Sequence, residues 1–334
     1  MMSFIAFLVG AVVIVTAGSR LARVADELAD RTGMGEALFG LFLLAGVTSL
    51  PDFAATLSAA LDSRPDLAMS NIMGSMAANL AFLGIADAIY RKANLEHAAA
   101  SSTNLLLAAL LIVLLALPLL AIVSPPLDFL GAHPVTPLIV AAYISGLYLV
   151  RSSESRPMWF PRVTLHTVPD EPAPSVGGSL SKAWIQFSTL AVVTGVAGWV
   201  LMEGAKGISD QTGLSDTVVG GLLTALATSS PELVTTIAAI RRGALTLAVS
   251  NIFGTNCFNM IVVAAADLGY PGGSIYHDMA PVQMTWGLIS ILMTAILLMG
   301  MLQRQRYGIG RIGFESALIL SVYIVALGIV TVTG

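Results

Sequence analysis

The amino-acid sequence predicts an all-α polytopic membrane protein, with ten transmembrane helices arranged as two inverted five-helix repeats. Three observations predict this fold class: an apolar composition, ten long apolar stretches, and an internal repeat that relates one half of the chain to the other. Of the 334 residues, 56% are hydrophobic and only 11% are charged, and the mean hydropathy is +0.84. Charged residues make up about a quarter of an ordinary soluble domain. The composition therefore excludes a soluble enzyme and a disordered chain, and the net charge of −4 argues against a nucleic-acid partner.

Ten stretches are long and apolar enough to cross a bilayer, which requires about 20 mainly apolar residues. They cover residues 2–18, 35–60, 66–90, 103–123, 135–150, 183–205, 215–240, 244–267, 280–302 and 314–333. We expect residues 1–151 to form the first five-helix repeat and residues 183–334 the second. The segment 152–182 contains five prolines and is predicted to be a linker between them.

The basic residues indicate how these spans are oriented. If the chain crosses at every stretch, fourteen of the 16 Lys and Arg residues fall on one side, and only Arg64 and Lys206 fall on the other. Because cytoplasmic loops carry an excess of Lys and Arg, we expect the 151–182 loop to be cytoplasmic. Both termini would then lie outside, and the protein would be a multi-pass protein of the cell (inner) membrane.

The repeat relates the two halves of the chain directly. Residues 30–87 align with 210–267 without a gap, and 20 of the 58 pairs are identical. Pro51 is opposite Pro231, and Asp52 is opposite Glu232. An odd number of spans in each repeat inserts the second copy upside down. Inverted repeats of this kind are typical of secondary transporters, whose site lies near the midplane between the repeats.

The most similar parts of the repeats are also their most polar parts inside the predicted spans. A carboxylate such as Asp52 or Glu232 costs about 2.5–3.5 kcal/mol at the centre of a membrane helix. No Lys or Arg lies at comparable depth, so a proton or a transported cation must offset this cost. Each acid or asparagine also follows a hydroxyl by four residues, which puts both on one helix face. These pairs are Thr48–Asp52, Ser75–Asn79, Thr228–Glu232 and Thr255–Asn259, and Ser49 and Ser229 lie three residues before the acids.

Backbone features extend the predicted site. Pro51 and Pro231 lack an N–H, so we expect carbonyls around Ala45–Val47 and Ala225–Ala227 to be free to face a cavity. We expect Gly74 and Gly254, which the repeat aligns with it, to permit close helix approach. A site built from oxygen atoms, without His or Cys, suits Ca²⁺ or Na⁺ and does not suit zinc or copper.

The remaining polar residues have simpler interpretations. We expect the four histidines, His97, His133, His166 and His277, to lie outside the spans and to be solvated, and Cys257 to be a small packing residue. Asp87 and Asp267 fall at span ends, where interfacial solvation is the simple account. Glu315 is expected to extend to the interface beside Arg311.

The repeated motifs resemble the α-repeats of the sodium/calcium exchangers, which belong to the Ca²⁺/cation antiporter superfamily. The motif within 45–82 reads VTSLPD at 47–52 and SNIMGSMAAN at 70–79, and the motif within 225–262 reads ATSSPE at 227–232 and SNIFGTNCFN at 250–259. The resemblance covers the whole architecture. It implies alternating access, in which the first and sixth spans slide across a fixed core.

The resemblance also implies the ligands. It gives Asp52 and Glu232 the role of binding Ca²⁺ and Na⁺ in competition. Further implied metal ligands are the hydroxyls of Thr48, Ser49, Ser75, Thr228, Ser229 and Thr255, the carbonyls of Ala45 and Ala225, and the amides of Asn79 and Asn259.

Three departures from the family pattern affect the charge and reach of the site. Asp52 replaces the usual Glu, Met76 stands where many members have Asn, and Asn259 is an amide where several relatives carry a carboxylate. Only two acids remain. A formal charge of −2 balances one Ca²⁺, two Na⁺ or two protons.

We therefore predict a secondary-active antiporter that exchanges Na⁺ for Ca²⁺, with small cations and the lipid bilayer as its partners. No cofactor, nucleic acid or obligate protein partner is expected. Two alternatives remain: an antiporter of the same fold that couples Ca²⁺ or another divalent cation to H⁺, and a passive cation channel or ion-binding membrane sensor. An enzyme is disfavoured, because the spans contain no nucleophile–base pair and no cluster of His ligands.

Overall fold

The structure is a computed structural model, and it describes residues 1–32, 45–90, 92–99, 101–127, 131–155, 160–162, 164, 167, 179–308 and 312–333. Every regular element in these ranges is a helix. The first half contains α1 (Met2–Val13), α2 (Ser19–Thr32), α3 (Ala45–Thr48), α4 (Leu50–Leu61), α5 (Pro65–Ile89), α6 (Leu95–Ala98), α7 (Ser102–Val123) and α8 (Val135–Ser155). The second half contains α9 (Leu180–Thr212), α10 (Asp216–Val218), α11 (Ala225–Thr228), α12 (Ser230–Arg242), α13 (Leu245–Gly269), α14 (Ile275–Asp278), α15 (Val282–Gln303) and α16 (Phe314–Thr333).

The predicted polytopic membrane fold is confirmed. Within the described part of the chain, nine helical segments are long and apolar enough to cross a membrane. The remaining predicted span, 35–60, is described only from Ala45 onward, as α3 and α4. Most of the predicted linker 152–182 also lies outside the described residues.

The first span is longer than predicted. After α1 the helix passes through a π-helical turn, Ile14–Gly18, and continues as α2 to Thr32. Arg20 and Arg23 end the apolar stretch in the sequence, but α2 continues as an amphipathic helix. Its apolar side, including Leu21 and Leu28, packs on Phe187 near the start of α9.

The two halves repeat the same sequence of helices, including a break in the helix that precedes the central one. The break separates α3 from α4 at Ser49 and α11 from α12 at Ser229, each with ψ of 0°. Pro51 and Pro231 follow within the first turn of the resumed helix, where a missing N–H is tolerated. The helices that come next, α5 and α13, begin and end at positions that the repeat alignment pairs with each other.

The core of the protein is formed around α5 and α13. Their apolar segments are 83% and 78% buried, whereas those of α1 and α16 are only 17% and 22% buried. A helix that is apolar on all sides is expected at the centre of a bundle or facing lipid. The central pair carries the asparagines of the repeats, and the two acids lie on the neighbouring helices α4 and α12. The peripheral helices expose apolar side chains.

Asp87 and Asp267 are buried at the ends of these central helices, so the expectation of interfacial solvation was wrong. Asp87 accepts hydrogen bonds from the backbone N–H groups of Leu95 (2.7 Å) and Gly313 (2.8 Å). Asp267 accepts the equivalent bonds from Ile275 (3.0 Å) and His133 (2.9 Å). The loops fold back over the helix ends and replace water as the hydrogen-bond donor.

His97, His133 and His277 lie outside the spans, as predicted, but the expectation that they are solvated was wrong for His97 and His133. His97 and His133 are 7% and 2% exposed, and His277 is half-buried. His97 bonds through its two ring nitrogens to Arg304 O and Thr164 Oγ1, so the ring joins separate loops at a helix end. His166 lies outside the described residues. Cys257 is fully buried, as expected of a packing residue.

Glu315 does not extend to the interface as predicted. Its side chain is fully buried at the start of α16. Its proposed partner, Arg311, lies outside the described residues. The carboxyl group instead packs against Gly300 and Gly313, where the absence of a Cβ makes room for it.

Candidate ion-binding site

The polar residues predicted to bind cations are all buried in the centre of the protein. Their exposed fraction is 0% or 1%, as it is for Ala45 and Ala225. The buried polar set comprises Thr48, Ser49, Asp52, Ser75, Asn79, Thr228, Ser229, Glu232, Thr255 and Asn259.

The broken helices position the two acids. Asp52 lies in the first turn of α4 and Glu232 in the first turn of α12. Each helix restarts beside the serine and proline that precede the acid, so the carboxyl groups project from helix N-termini. The positive end of a helix dipole favours a negative charge at that place.

One expectation about the backbone was wrong. The carbonyl oxygen of Ala45 accepts the N–H of Ser49 at 3.1 Å, and that of Ala225 accepts the N–H of Ser229 at 3.0 Å. These carbonyls are therefore hydrogen-bonded within their helices. The prolines remove only the bond to the carbonyl four residues earlier, and that residue is neither of these alanines.

Hydrogen bonds connect the acid of one repeat to the other repeat. Ser75 Oγ donates to Asp52 Oδ1 at 2.8 Å and lies 3.3 Å from Thr228 Oγ1. Thr228 is one helical turn before Glu232, and the charge of Asp52 acts on the Glu232 carboxylate. The two acids consequently face a common polar centre that both repeats build.

Many oxygen atoms at this centre have no hydrogen-bond partner among the described residues. They include Asp52 Oδ2, both carboxylate oxygens of Glu232, Asn79 Oδ1, Asn259 Oδ1 and the hydroxyls of Ser49, Ser229 and Thr255. A buried polar atom without a partner costs about 1–3 kcal/mol. Such a concentration of unpaired oxygens fits a hard cation, which takes six to eight oxygen ligands when it is Ca²⁺.

Two asparagines in the same region were not predicted. Asn71 adjoins the Asp52 carboxylate and donates to Thr56 Oγ1 at 2.9 Å. Asn256 accepts from Asn79 Nδ2 at 2.9 Å and donates to the carbonyl of Met76 at 3.0 Å. Asn71 was visible as an identical repeat pair, and Asn256 is the twin of Met76, so the departure at 76 was the signal for it.

The equivalent polar pairs of the two halves differ in their surroundings. Asn71 and Thr56 bond to each other, whereas Thr236 Oγ1 and Asn251 Oδ1 have no partner among the described residues. Thr236 and Asn251 line a cavity of about 250 Å³ that extends to Arg23 at its rim. A cavity therefore adjoins this polar pair in the second repeat, whereas the corresponding side chains of the first repeat are hydrogen-bonded to each other.

Glycines let the first helix of each half approach the break of the opposite half. Gly18 packs against Pro231, where an added Cβ would lie 2.6 Å from the proline ring. Gly198 packs on the backbone of Pro51 in the same way. The predicted close approach at Gly74 is confirmed, since a Cβ there would lie 2.8 Å from the Cα of Gly221.

Comparisons with known proteins agree with this architecture. The sequence profile of the family described as "Sodium/calcium exchanger protein" matches residues 2–151 and 182–332. The inner membrane protein YrbG of Escherichia coli (strain K12) is 26% identical over 269 residues, covering 79% of this chain and 77% of YrbG. The sodium/calcium exchanger MaX1 of Methanosarcina acetivorans is 24% identical over 321 residues, covering 89% of each chain.

Solved structures show the same fold. The sodium-calcium exchanger NCX_Mj soaked with 2.5 mM Na⁺ and 0.1 mM Ca²⁺ is 20% identical, with a TM-score of 0.63 and coverage of 98% of both chains. NCX_Mj soaked with 100 mM Na⁺ and 10 mM Sr²⁺ gives a TM-score of 0.62 at 20% identity, covering 98% of this chain and 97% of the other. Because the family profile matches nearly the whole length, the chain belongs to the sodium/calcium exchanger protein family.

Proposed function

We propose that this protein exchanges Na⁺ for Ca²⁺ across the cell (inner) membrane by alternating access. The observation that carries the proposal is the set of unpaired buried oxygens around Asp52 and Glu232. Two carboxylates with a formal charge of −2 are neutralised by one Ca²⁺ or by two Na⁺. The two ions therefore compete for the same ligands. The protein changes from one access state to the other only when the two carboxylates are neutralised.

We propose ligand roles for the predicted set. Asp52 and Glu232 are the charged ligands that both ions share. The neutral ligands are the hydroxyls of Thr48, Ser49, Ser75, Thr228, Ser229 and Thr255, the amide oxygens of Asn79 and Asn259, and the carbonyls of Ala45 and Ala225, which also accept hydrogen bonds within their own helices. No cofactor and no obligate protein partner enter this mechanism.

The proposed orientation follows the basic residues. Both termini lie outside, and the loop 151–182 joins the two repeats, 1–151 and 183–334, in the cytoplasm. In this orientation the cavity lined by Arg23, Thr236 and Asn251 faces the cytoplasm and is the proposed access route in this state. Access from outside requires that the second repeat close around Thr236 while the first opens around Thr56.

The direct test is uptake of radioactive Ca²⁺ into proteoliposomes under separate Na⁺, K⁺ and H⁺ gradients. An outward Na⁺ gradient, with Na⁺ more concentrated inside the vesicles, should drive Ca²⁺ uptake. Asp52→Asn and Glu232→Gln should each abolish this flux while the protein remains folded. Asp278→Asn, which alters an exposed carboxylate, should leave it unchanged. Absence of Na⁺-driven flux in the unaltered protein contradicts the proposal.

One observation favours an H⁺-coupled alternative. Asn259 leaves the site with two carboxyl groups, and two protons balance the charge of one divalent cation as well as two Na⁺ do. Ca²⁺ flux that follows the H⁺ gradient and ignores Na⁺ would select this alternative. Flux that needs no counter-ion at all would instead indicate a passive channel.

A further inference from the structure

A second buried acidic group lies at the end of α5, away from the proposed ion ligands. It is best understood from its twin in the other half of the molecule. Asp87 and Asp267 end the two central helices, and both accept backbone N–H bonds from the loops that fold over them. Beyond those backbone bonds, the two ends are built from different side chains.

At the Asp267 end, the neighbouring side chains include two hydroxyl groups, those of Thr136 and Tyr276. Thr136 Oγ1 donates to Asp267 Oδ2 and lies 3.1 Å from the hydroxyl of Tyr276. Burial and the negative charge of Asp267 raise the pKa of Tyr276, so the phenol keeps its proton. The Asp267 carboxyl group therefore accepts three hydrogen bonds, from His133 N, Thr136 Oγ1 and Ile275 N.

At the Asp87 end, the alignment of the two halves puts Glu96 in the place of Tyr276 and Glu315 in the place of Val135. Glu96 and Glu315 are 2% and 0% exposed, and their carboxyl groups face each other. None of their four carboxyl oxygens has a hydrogen-bond partner among the described residues. This end thus holds two further acids, and the hydroxyl of Ser316, which takes the place of Thr136, has no hydrogen-bond partner among the described residues.

The hydrogen bonds made by the nearby charged groups go to other partners, and the Nε atom of Arg304 makes none among the described residues. Arg304, at the end of α15, donates from Nη1 to Arg162 O at 2.7 Å and from Nη2 to His97 O at 3.1 Å. The His97 ring is bonded to Arg304 O and to Thr164 Oγ1. Asp87 is the third carboxylate, and its oxygens receive backbone N–H groups. In the described part of the chain, no group of three or more His, Cys, Asp or Glu side chains is arranged to hold a metal ion.

We propose that Glu96 and Glu315 share one proton and form a proton-binding site separate from the ion-transport site. Two facing buried carboxyl groups cannot both ionise without strong repulsion, whereas a shared proton supplies the donor that each oxygen lacks. Asp87, whose charge acts on Glu96, lies eight residues along α5 from Asn79, which is about 12 Å in a helix. The proton serves the same structural purpose here as the Tyr276 hydroxyl does at the twin site.

Burial and the negative charges of Asp87 and Glu315 raise the pKa of Glu96 well above its ordinary value. In the unfolded chain Glu titrates at about 4.3. As the pH rises above that value, the unfolded chain loses its proton before the folded protein does. The stabilisation is therefore complete at acidic pH and is lost as the pH rises toward the native pKa. Loss of the proton drives Glu96, on the loop helix α6, away from Glu315 on α16.

Infrared spectroscopy of the full-length protein in lipid tests the proton directly. The background carries Asp52→Asn and Glu232→Gln, so that the transport site contributes no protonated carboxyl group and the result does not depend on the proposed function. We expect a buried protonated carboxyl band that is lost in both Glu96→Gln and Glu315→Gln. Persistence of the whole band in both variants overturns the proposal, as does its removal by Ca²⁺ or Na⁺ at constant pH.

Thermal unfolding as a function of pH supplies an independent readout. Between pH 5 and pH 8, the unaltered protein should lose thermal stability relative to Glu96→Gln, because the amide donates to Glu315 without needing a proton. The variant should unfold a few degrees higher than the unaltered protein at pH 8, and the difference should shrink at pH 5. Asp278→Asn, at the exposed carboxylate beside the twin site, should follow the unaltered protein. Parallel curves for Glu96→Gln and the unaltered protein overturn the proposal.

Discussion

Replacing Gly198 with alanine would place a methyl group against the backbone of the first broken helix. An ideal Cβ at this position lies 2.7 Å from the Cα of Pro51 and still closer to its carbonyl oxygen. Real Cβ atoms essentially never approach within 3.0 Å, so α9 and α4 would have to separate by a few tenths of an ångström or more. Backbone cannot swing aside as a side chain can, so this shift reaches Asp52, the next residue.

The magnitude follows from two opposing effects. Overpacking a close contact costs about 1–3 kcal/mol, and exchanging Gly for Ala inside a helix returns up to about 1 kcal/mol. The expected net loss is about 1–2 kcal/mol. With an unfolding entropy of about 2.1 cal/mol/K per residue over 334 residues, this lowers the unfolding temperature by about 1–3 °C. Transport should fall more than stability does, because α9 must pass the same backbone during the proposed alternation of access.

Gly195 on the same helix provides the matched control. An added Cβ there has nothing within 4 Å, so Gly195→Ala should be neutral or slightly stabilising. Unfolding temperature and initial Ca²⁺ uptake would be measured for both variants, with uptake assayed well below either unfolding temperature. If Gly198→Ala matched Gly195→Ala in both measurements, the argument that this contact is tight would be wrong.

Three further perturbations test the site and the ion pair between Arg64 and Asp216. Ser75→Ala removes the donor to the first carboxylate and should raise the Ca²⁺ concentration for half-maximal uptake about 5–10-fold, since such a bond contributes about 1–1.5 kcal/mol, whereas Ser321→Ala on the exposed face of α16 should not change it. Asn259→Asp takes the formal charge of the site from −2 to −3 and should increase the ratio of uptake at pH 8 to uptake at pH 6, because the added carboxyl group is protonated first as the pH falls. Arg64→Gln breaks a bidentate bond to Asp216 (2.8 and 2.7 Å) and should lower the unfolding temperature in low and high salt alike, by about 3 °C for a loss of about 2 kcal/mol. An effect that disappears in high salt would show that the pair is only a screened surface contact.

Much of the fold could be predicted from local sequence, because length and apolar character define a span. The predicted spans 66–90 and 244–267 differ by at most two residues from Pro65–Ile89 and Leu245–Gly269. The first span shows the limit of this reasoning. Its apolar stretch ends near residue 18, but the helix runs on to Thr32 because one face of the charged segment packs on α9.

The composition of the polar centre could also be predicted, because residues four apart share a helix face and the repeat doubles the pattern. What could not be predicted depends on contacts between halves. Nothing near Gly198 in the sequence signals that it meets Pro51, and nothing near Asp87 signals the N–H of Gly313. A residue at a span end looks solvated until the loop that covers it is known.

The side chain of Asn256 has a mechanical consequence. Its hydrogen bonds to Asn79 and to the Met76 carbonyl link α13 to α5 beside the polar centre. We therefore expect these two helices to move together as one rigid unit. A rearrangement that opens the centre to water on one side and then on the other would keep α5 and α13 together and move the peripheral helices. Because the twin position holds Met76, which has no amide, this link depends on the side chain of Asn256 alone. Its loss would let α5 and α13 separate at the polar centre.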